Sequence, residues 1–217
     1  TEQIHGAIER AVAPELFENY VFFDLRRLEQ EVEIQAFLET NSQLLGQILR
    51  CDKQELATSE VNEALNVRLS YTPRDVVIID WNVAICLMGD SDDIRAVLEF
   101  ANIELLEMRL LDKQLDDALN SAYRALTTKR IEHGNLAKVS QYQVDAAIMF
   151  EAVNNALKLL GDQYLARIYS LVSRRFHLAD WDASILRKLD TLNSIYQKIS
   201  DKRTTLRMEV LEAVIIL

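Results

Sequence analysis

Ser91 to Leu126 reads SDDIRAVLEFANIELLEMRLLDKQLDDALNSAYRAL, and the spacing of its apolar residues decides the fold. Ile94, Leu98, Ala101, Leu105, Met108, Leu115, Leu119, Ala122 and Leu126 recur in steps of four and three, with Asp112 the one polar residue on the stripe. Residues spaced in this way fall on one side of a helix, so the stretch reads as the seam of a long packed helix. Ser91 is placed to cap its start, and Asp92 and Asp93 sit where the helix dipole favours negative charge. At about 1.5 Å per residue the helix spans roughly 50 Å, more than a compact domain needs.

Upstream of this helix the texture is mixed. Residues 1–17 read as a short helical lead-in through Ile4, Ile8 and Val12, closed near Pro14. YVFFDL, Tyr20 to Leu25, is aromatic and β-branched and reads as a strand. From Glu29 to Leu49 the period becomes helical, with Ile34, Phe37, Leu38, Leu45, Ile48 and Leu49 on one face. Thr58-Ser59-Glu60 begins a short helix. NVRLSY, DVVIID and VAICLM then read as strands, the last two forming a hairpin around Trp81-Asn82, where asparagine tolerates a left-handed backbone. Gly89 closes this part, giving a small α/β layer over residues 1–90 in which one helix covers three or four strands.

Downstream, residues 91–217 read as a bundle. A polar loop around Gly134 leads to a second helix from about Asn135 to Phe176, with Val139, Ala146, Phe150, Val153, Leu157, Leu160, Tyr164, Ile168 and Leu171 inward. Gly161 inside it costs roughly 1 kcal/mol against alanine and permits a bend or close packing. HLADWD breaks the period. Asp180 or Asp182 then caps a third helix whose stripe runs Ile185, Leu189, Leu192, Tyr196, Ile199, Leu206, Val210, Ala213 and Leu217, with Arg203 its polar member. The expected class is α+β: the small α/β layer followed by a bundle of three long antiparallel coiled-coil-like helices. Leu105, Leu157 and Leu192 are expected in one core, Trp181 as a plug closing the bundle end, and Trp81 as a sheet-to-helix contact.

The chain has 217 residues, 34 acidic against 24 basic, and a net charge of −10, so a nucleic-acid partner is not expected. Cys51 and Cys86 have no metal spacing and read as buried small hydrophobes. His5, His133 and His177 lie in the lead-in, a loop and a turn, none with a second ligand at helical spacing. The five glycines are scattered, so no phosphate loop exists, and GxSxG, HExxH and CxxC are absent. Glu99, Glu104, Glu107 and Asp112 read as a solvated charged face. No cofactor, metal or catalytic residue is therefore assigned.

Asp112 and Arg203 are the informative charges, since a lone charge on an apolar seam is costly unless paired. Turn arithmetic sets them about two helical turns apart along the bundle, so direct pairing needs a kink near Gly161. Glu151 and Asp162 are other partners for Arg203, and both seam charges can also snorkel to an edge.

The segments VNNALKLLGDQYLARIYSLVSRRFHLADW (153–181), RKLDTLNSIYQKI (187–199) and MEVLEAVIIL (208–217) resemble prokaryotic relatives of the "required for meiotic nuclear division" family. LSYTPRDVVIIDWNVAICLM (69–88) and VLEFANIELLEMRLLDKQLD (97–116) fit the same likeness, which covers roughly residues 65–217. Its features are the tryptophan turn at Trp181, the Leu192-Asn193 step and the aliphatic run after Leu211-Glu212. The resemblance implies an N-terminal α/β region, coiled-coil-like helices and one membrane helix after the Leu211-Glu212 step; no catalytic residues are established for the family, so it assigns none here. Eukaryotic members include a mitochondrial inner-membrane protein that supports mitochondrial translation.

These features favour a non-enzymatic, membrane-tethered scaffold or protein-interaction module that self-associates through its long helices and binds an unknown protein partner. The chain starts at Thr1 and stops inside the aliphatic run Ala213 to Leu217, and Lys198, Lys202, Arg203 and Arg207 precede that run. The expectation is a native chain that continues past Leu217 into a span, with these residues on the cytoplasmic face of a bacterial inner membrane. The alternative is the cytoplasmic cation-sensing domain of a channel or transporter.

Overall fold

The computed structural model describes residues 17–26, 33–87, 91–128, 135–159 and 162–215. It is a mixed α+β structure, a four-stranded sheet near the N-terminus followed by long helices. In chain order the elements are β1 (Val21–Leu25), α1 (Ile34–Thr40), α2 (Ser42–Arg50), α3 (Thr58–Asn66), β2 (Arg68–Leu69), β3 (Val76–Ile79), β4 (Val83–Leu87), α4 (Ser91–Thr128), α5 (Asn135–Leu159), α6 (Gln163–Arg175) and α7 (Leu178–Ile215).

The sheet order is β1-β4-β3-β2, with β1 parallel to β4 and the other pairs antiparallel. β3 and β4 read VVII and VAICL without a polar residue because both faces of the sheet are covered. Alternation divides them between two cores. Val76, Ile78, Val83, Ile85 and Leu87 meet Leu38, Leu45, Leu49 and Val61 of α1–α3. Val77, Ile79, Ala84 and Cys86 meet Leu98, Ile168, Val172 and Phe176 of the long helices. Each aliphatic side chain so buried contributes about 1.5–3 kcal/mol. Residues on both sides of position 90 thus share a core.

Several boundaries differ from the expectations. The helix expected over Glu29 to Leu49 is two helices, with Asn41 between them donating its side-chain amide to the Phe37 carbonyl at 2.9 Å. That local bond competes with continuing the helix. Three helices, not one, therefore lie on the outer face of the sheet. Asn82 at the hairpin is not left-handed; Cys51 and His177, both at φ 52, are the described non-glycine residues that are. Ser91 does not cap α4. Its hydroxyl donates to Asp24 on β1 at 2.7 Å.

The second long helix is also two. α5 ends at Leu159, and Asp162 starts α6 by accepting from the Tyr164 amide at 2.6 Å. The break lets α6 cover the inner face of the sheet. Tyr164 reaches Tyr71 at one end, and Phe176 reaches Tyr20 and Trp81 at the other. α7 starts at Leu178, before either aspartate expected to cap it, because left-handed His177 turns the chain. Among the described residues, four helices follow the sheet instead of three.

Leu105 and Leu192 lie in the same core. Leu157 and Arg203 lie on α5 and α7, with their side chains outside the described set. The lead-in, Gly89, the Gly134 loop, Gly161 and residues 216–217 are likewise outside it. Among the described residues no helix is long and apolar enough to cross a membrane.

Candidate functional site

Arg50 ends α2, Glu60 and Glu63 lie on α3, Asp80 directly follows β3, and Arg175 ends α6. The fold brings all five together. Asp80 is 1% exposed. Arg50 donates through one nitrogen to both of its carboxylate oxygens, at 2.9 and 2.6 Å, and Arg175 donates through Nε at 2.9 Å. The Trp81 amide adds a bond to Oδ1 at 2.8 Å, and the Tyr20 hydroxyl donates to the Asp80 carbonyl at 3.1 Å. Glu63 bridges the two arginines, bonding Arg175 at 2.6 Å and pairing with Arg50, while Glu60 meets Arg50 at 2.6 Å.

Asp80 acts as a clamp, because its Oδ1 accepts from both guanidiniums and the Trp81 amide while its Oδ2 accepts from Arg50. Burial pushes the Tyr20 hydroxyl well above the usual tyrosine range, with the Asp80 charge adding and Arg175 opposing. The clamp thus binds α2, α3, the β3–β4 hairpin and α6 into one body.

Trp81 sits beside this clamp. Its ring stacks on His177 at 5.4 Å and 20°, and the Arg175 guanidinium carbon lies 5.8 Å from its centroid. On the same corner is a hollow of about 400 Å³ lined by Asn66, Val67, Leu171, Arg174, Arg175 and His177. A neighbouring hollow of about 440 Å³ mixes amide and hydroxyl groups of Gln35, Ser42, Asn62 and Asn66 with Glu39, Arg68 and two leucines.

A second polar cluster lies inside the helices. Glu104, expected on a solvated face, is 4% exposed and accepts from the Tyr169 hydroxyl at 2.7 Å. It borders the seam, and α6 folds over it. Burial pushes its carboxyl up to about 7, with Tyr169 opposing and the Asp182 and Glu107 charges adding. Burial also raises Glu107 and Asp182. Glu99 is exposed, as a solvated face requires, and pairs loosely with Arg95 at 3.6 Å.

Asp112 finds its partner in a residue the seam pattern did not single out. Lys188 meets it at 2.7 Å and Asp116 at 2.5 Å, with the Ser184 hydroxyl at 3.5 Å. These bonds outweigh partial burial and hold Lys188 above the ordinary lysine range. Asp112 therefore lies level with Lys188, about 15 residues or roughly 22 Å along α7 from Arg203, so the two-turn offset is corrected. Asp162 is spent as the cap of α6, and Glu151 is exposed.

Trp181 stands in the first turn of α7, half-buried against the main core. His177 is exposed and His5 and His133 are outside the described residues. Cys86 is buried, but Cys51 is exposed, because it terminates α2 in a left-handed cap. Among the described residues no group of three or more metal-binding side chains is arranged around an ion.

The clamp was missed by reading along the chain, although Asp80 carried a signal: a charge closing an unbroken apolar strand must find a partner. Its partners are 30 and 95 residues away and leave no local trace.

Residues 1–93 match the family model described as "Uncharacterized protein MJ0711, N-terminal domain". The chain is 26% identical over 187 residues to "Uncharacterized protein MJ0711" of Methanocaldococcus jannaschii. That similarity takes in 83% of this chain and 58% of the relative, so the chain spans under two thirds of that protein's length. No solved structure matches. The family match ends in the first turn of α4, so it takes in the whole sheet and four of the five clamp residues, leaving Arg175 to come from the helical part.

Proposed function

We propose that this chain is a non-enzymatic protein-interaction module, a scaffold that self-associates through its long helices. The observation that carries this reading is on α5. Val139, Ala146 and Met149 are buried, yet Val144 and Ile148, one turn apart, are 51% and 61% exposed. A helix apolar on both sides is suited to a second packing partner, and a second copy of the same surface is the simplest one to supply. Helices of this length, roughly 57 Å for α4 and for α7, also offer a long lateral surface.

The test is sedimentation over a concentration series. A dimer or larger species of the 24.9 kDa chain is expected, and Val144→Lys with Ile148→Lys should disperse it. A strict monomer at about 100 μM, or an oligomer indifferent to both lysines, overturns the reading. The membrane-tethered form of the scaffold rests separately on the basic residues before the aliphatic run and on the likeness to the meiotic nuclear division family. Fractionation of cells expressing the native gene tests it: recovery without detergent removes the tether and leaves self-association standing.

A further inference from the structure

We infer that the hollow at the α6–α7 corner is a binding site for a small organic oxyanion, a phosphate ester or a carboxylate carrying an apolar body. The lining holds two guanidiniums, Arg174 and Arg175, the His177 ring and the Asn66 amide, and no carboxylate. Arg175 is already paired with Asp80 and Glu63, and His177 with Asp180, so Arg174 is the cation of this lining that no described carboxylate neutralises. Glu63 and Asp80, the carboxylates that bond Arg175, do not line the hollow.

Arg174 is the group available to a ligand. Its Nε is tied to the Ser170 carbonyl at 3.3 Å, which steadies the side chain, and among the described residues no carboxylate pairs with it. Its remaining nitrogens form the fork that matches a phosphate or carboxylate. Arg175 is fixed by the clamp, its charge met by Asp80 and Glu63, and forms a rigid wall of the hollow. Val67 and Leu171 supply apolar wall, so an anion with a hydrophobic body fills the space better than a bare ion.

His177 is held for this purpose from two sides. Trp81 stacks on its ring, and its Nδ1 lies 3.0 Å from the Asp180 carboxylate, leaving Nε2 as its other polar atom. Occupation of the hollow should therefore be visible in the fluorescence of Trp81, which is exposed.

The experiment titrates the full chain, carrying Trp181→Phe so that Trp81 is the one fluorophore of its kind, with inorganic phosphate, phenyl phosphate and benzoate. Phenyl phosphate and benzoate are expected to give a saturable change and to raise the melting temperature, with inorganic phosphate weaker. Arg174→Ala should weaken the aromatic anions at least about tenfold and Arg174→Lys less. Leu171→Ala should weaken them while leaving inorganic phosphate unchanged. Arg174 is exposed, so its variants should fold, which circular dichroism checks. No saturable response from any probe up to about 10 mM, or equal affinity in Arg174→Ala, overturns the site. Inorganic phosphate binding as tightly as phenyl phosphate overturns the organic part of the assignment.

Discussion

Two residues carry conformational or electrostatic cost that the rest of the chain sustains. Cys51 ends α2 at φ 52, with the Asp52 amide donating back to Gln47 at 3.0 Å and the Cys51 amide to Ile48 at 3.1 Å. That pattern is the helix stop that glycine makes without a Cβ penalty. Cys51→Gly is accordingly expected to stabilise the protein by about 1 kcal/mol, raising the midpoint in a thermal melt by a few degrees. Glu104 is the electrostatic case. Its folded carboxyl titrates at about 7 and its unfolded one at 4.5, so between those values the folded state holds a proton that the unfolded state has released. Stability therefore falls as pH rises from about 4.5 to about 7 and the loss is complete above that. Glu107 and Asp182, also raised, act in the same direction. Melting temperatures across this range should decline in the natural chain and decline less in Glu104→Gln, whose amide keeps a partner for Tyr169. Parallel declines would show that Glu104 is not the group responsible.

At the scale of elements, the clamp around Asp80 joins pieces that backbone hydrogen bonds leave separate. Removing its carboxylate takes the shared buried acceptor from two poorly exposed guanidiniums and leaves them the half-exposed Glu60 and Glu63, so Asp80→Ala should cost roughly 3 kcal/mol in denaturant unfolding. Cutting the network at its rim with Glu60→Ala should cost far less, since Glu60 is half-exposed and Arg50 keeps Asp80 and Glu63. The contrast explains what could be read along the chain. The seam from Ile94 to Ala122 and the apolar runs of β3 and β4 were legible because burial imposes a period on neighbouring residues. The stops at Asn41 and Asp162 were not, because each is a side-chain bond to local backbone that the same residue does not make in a helix interior. The partners of Asp80 and Asp112 were hidden for a different reason. Pair energies depend on which helices lie side by side, and a periodic pattern carries no information about that.

For the molecule as a whole, the long helices set direction. Asp112 on α4 meets Ser184 and Lys188 on α7, so these two climb together while α5 and α6 return between them. The self-association proposed for α5 predicts that the α5 lysine variants change assembly without changing the thermal midpoint of the dispersed chain at low concentration. The parallel pairing of β1 with β4 has a consequence in time. Val21 and Val83 are roughly 60 residues apart, so this register closes a far longer loop than the tight β3–β4 hairpin does. The hairpin can form while β1 is still waiting, and β1 is added to the edge of a sheet that already exists. Phe22→Ala, on that late strand, should then speed unfolding in stopped-flow mixing while leaving the refolding rate nearly unchanged. A chain emerging from the ribosome carries β1 unpaired until β4 has left the exit tunnel, the interval in which VFFDL is open to mispairing with another nascent copy.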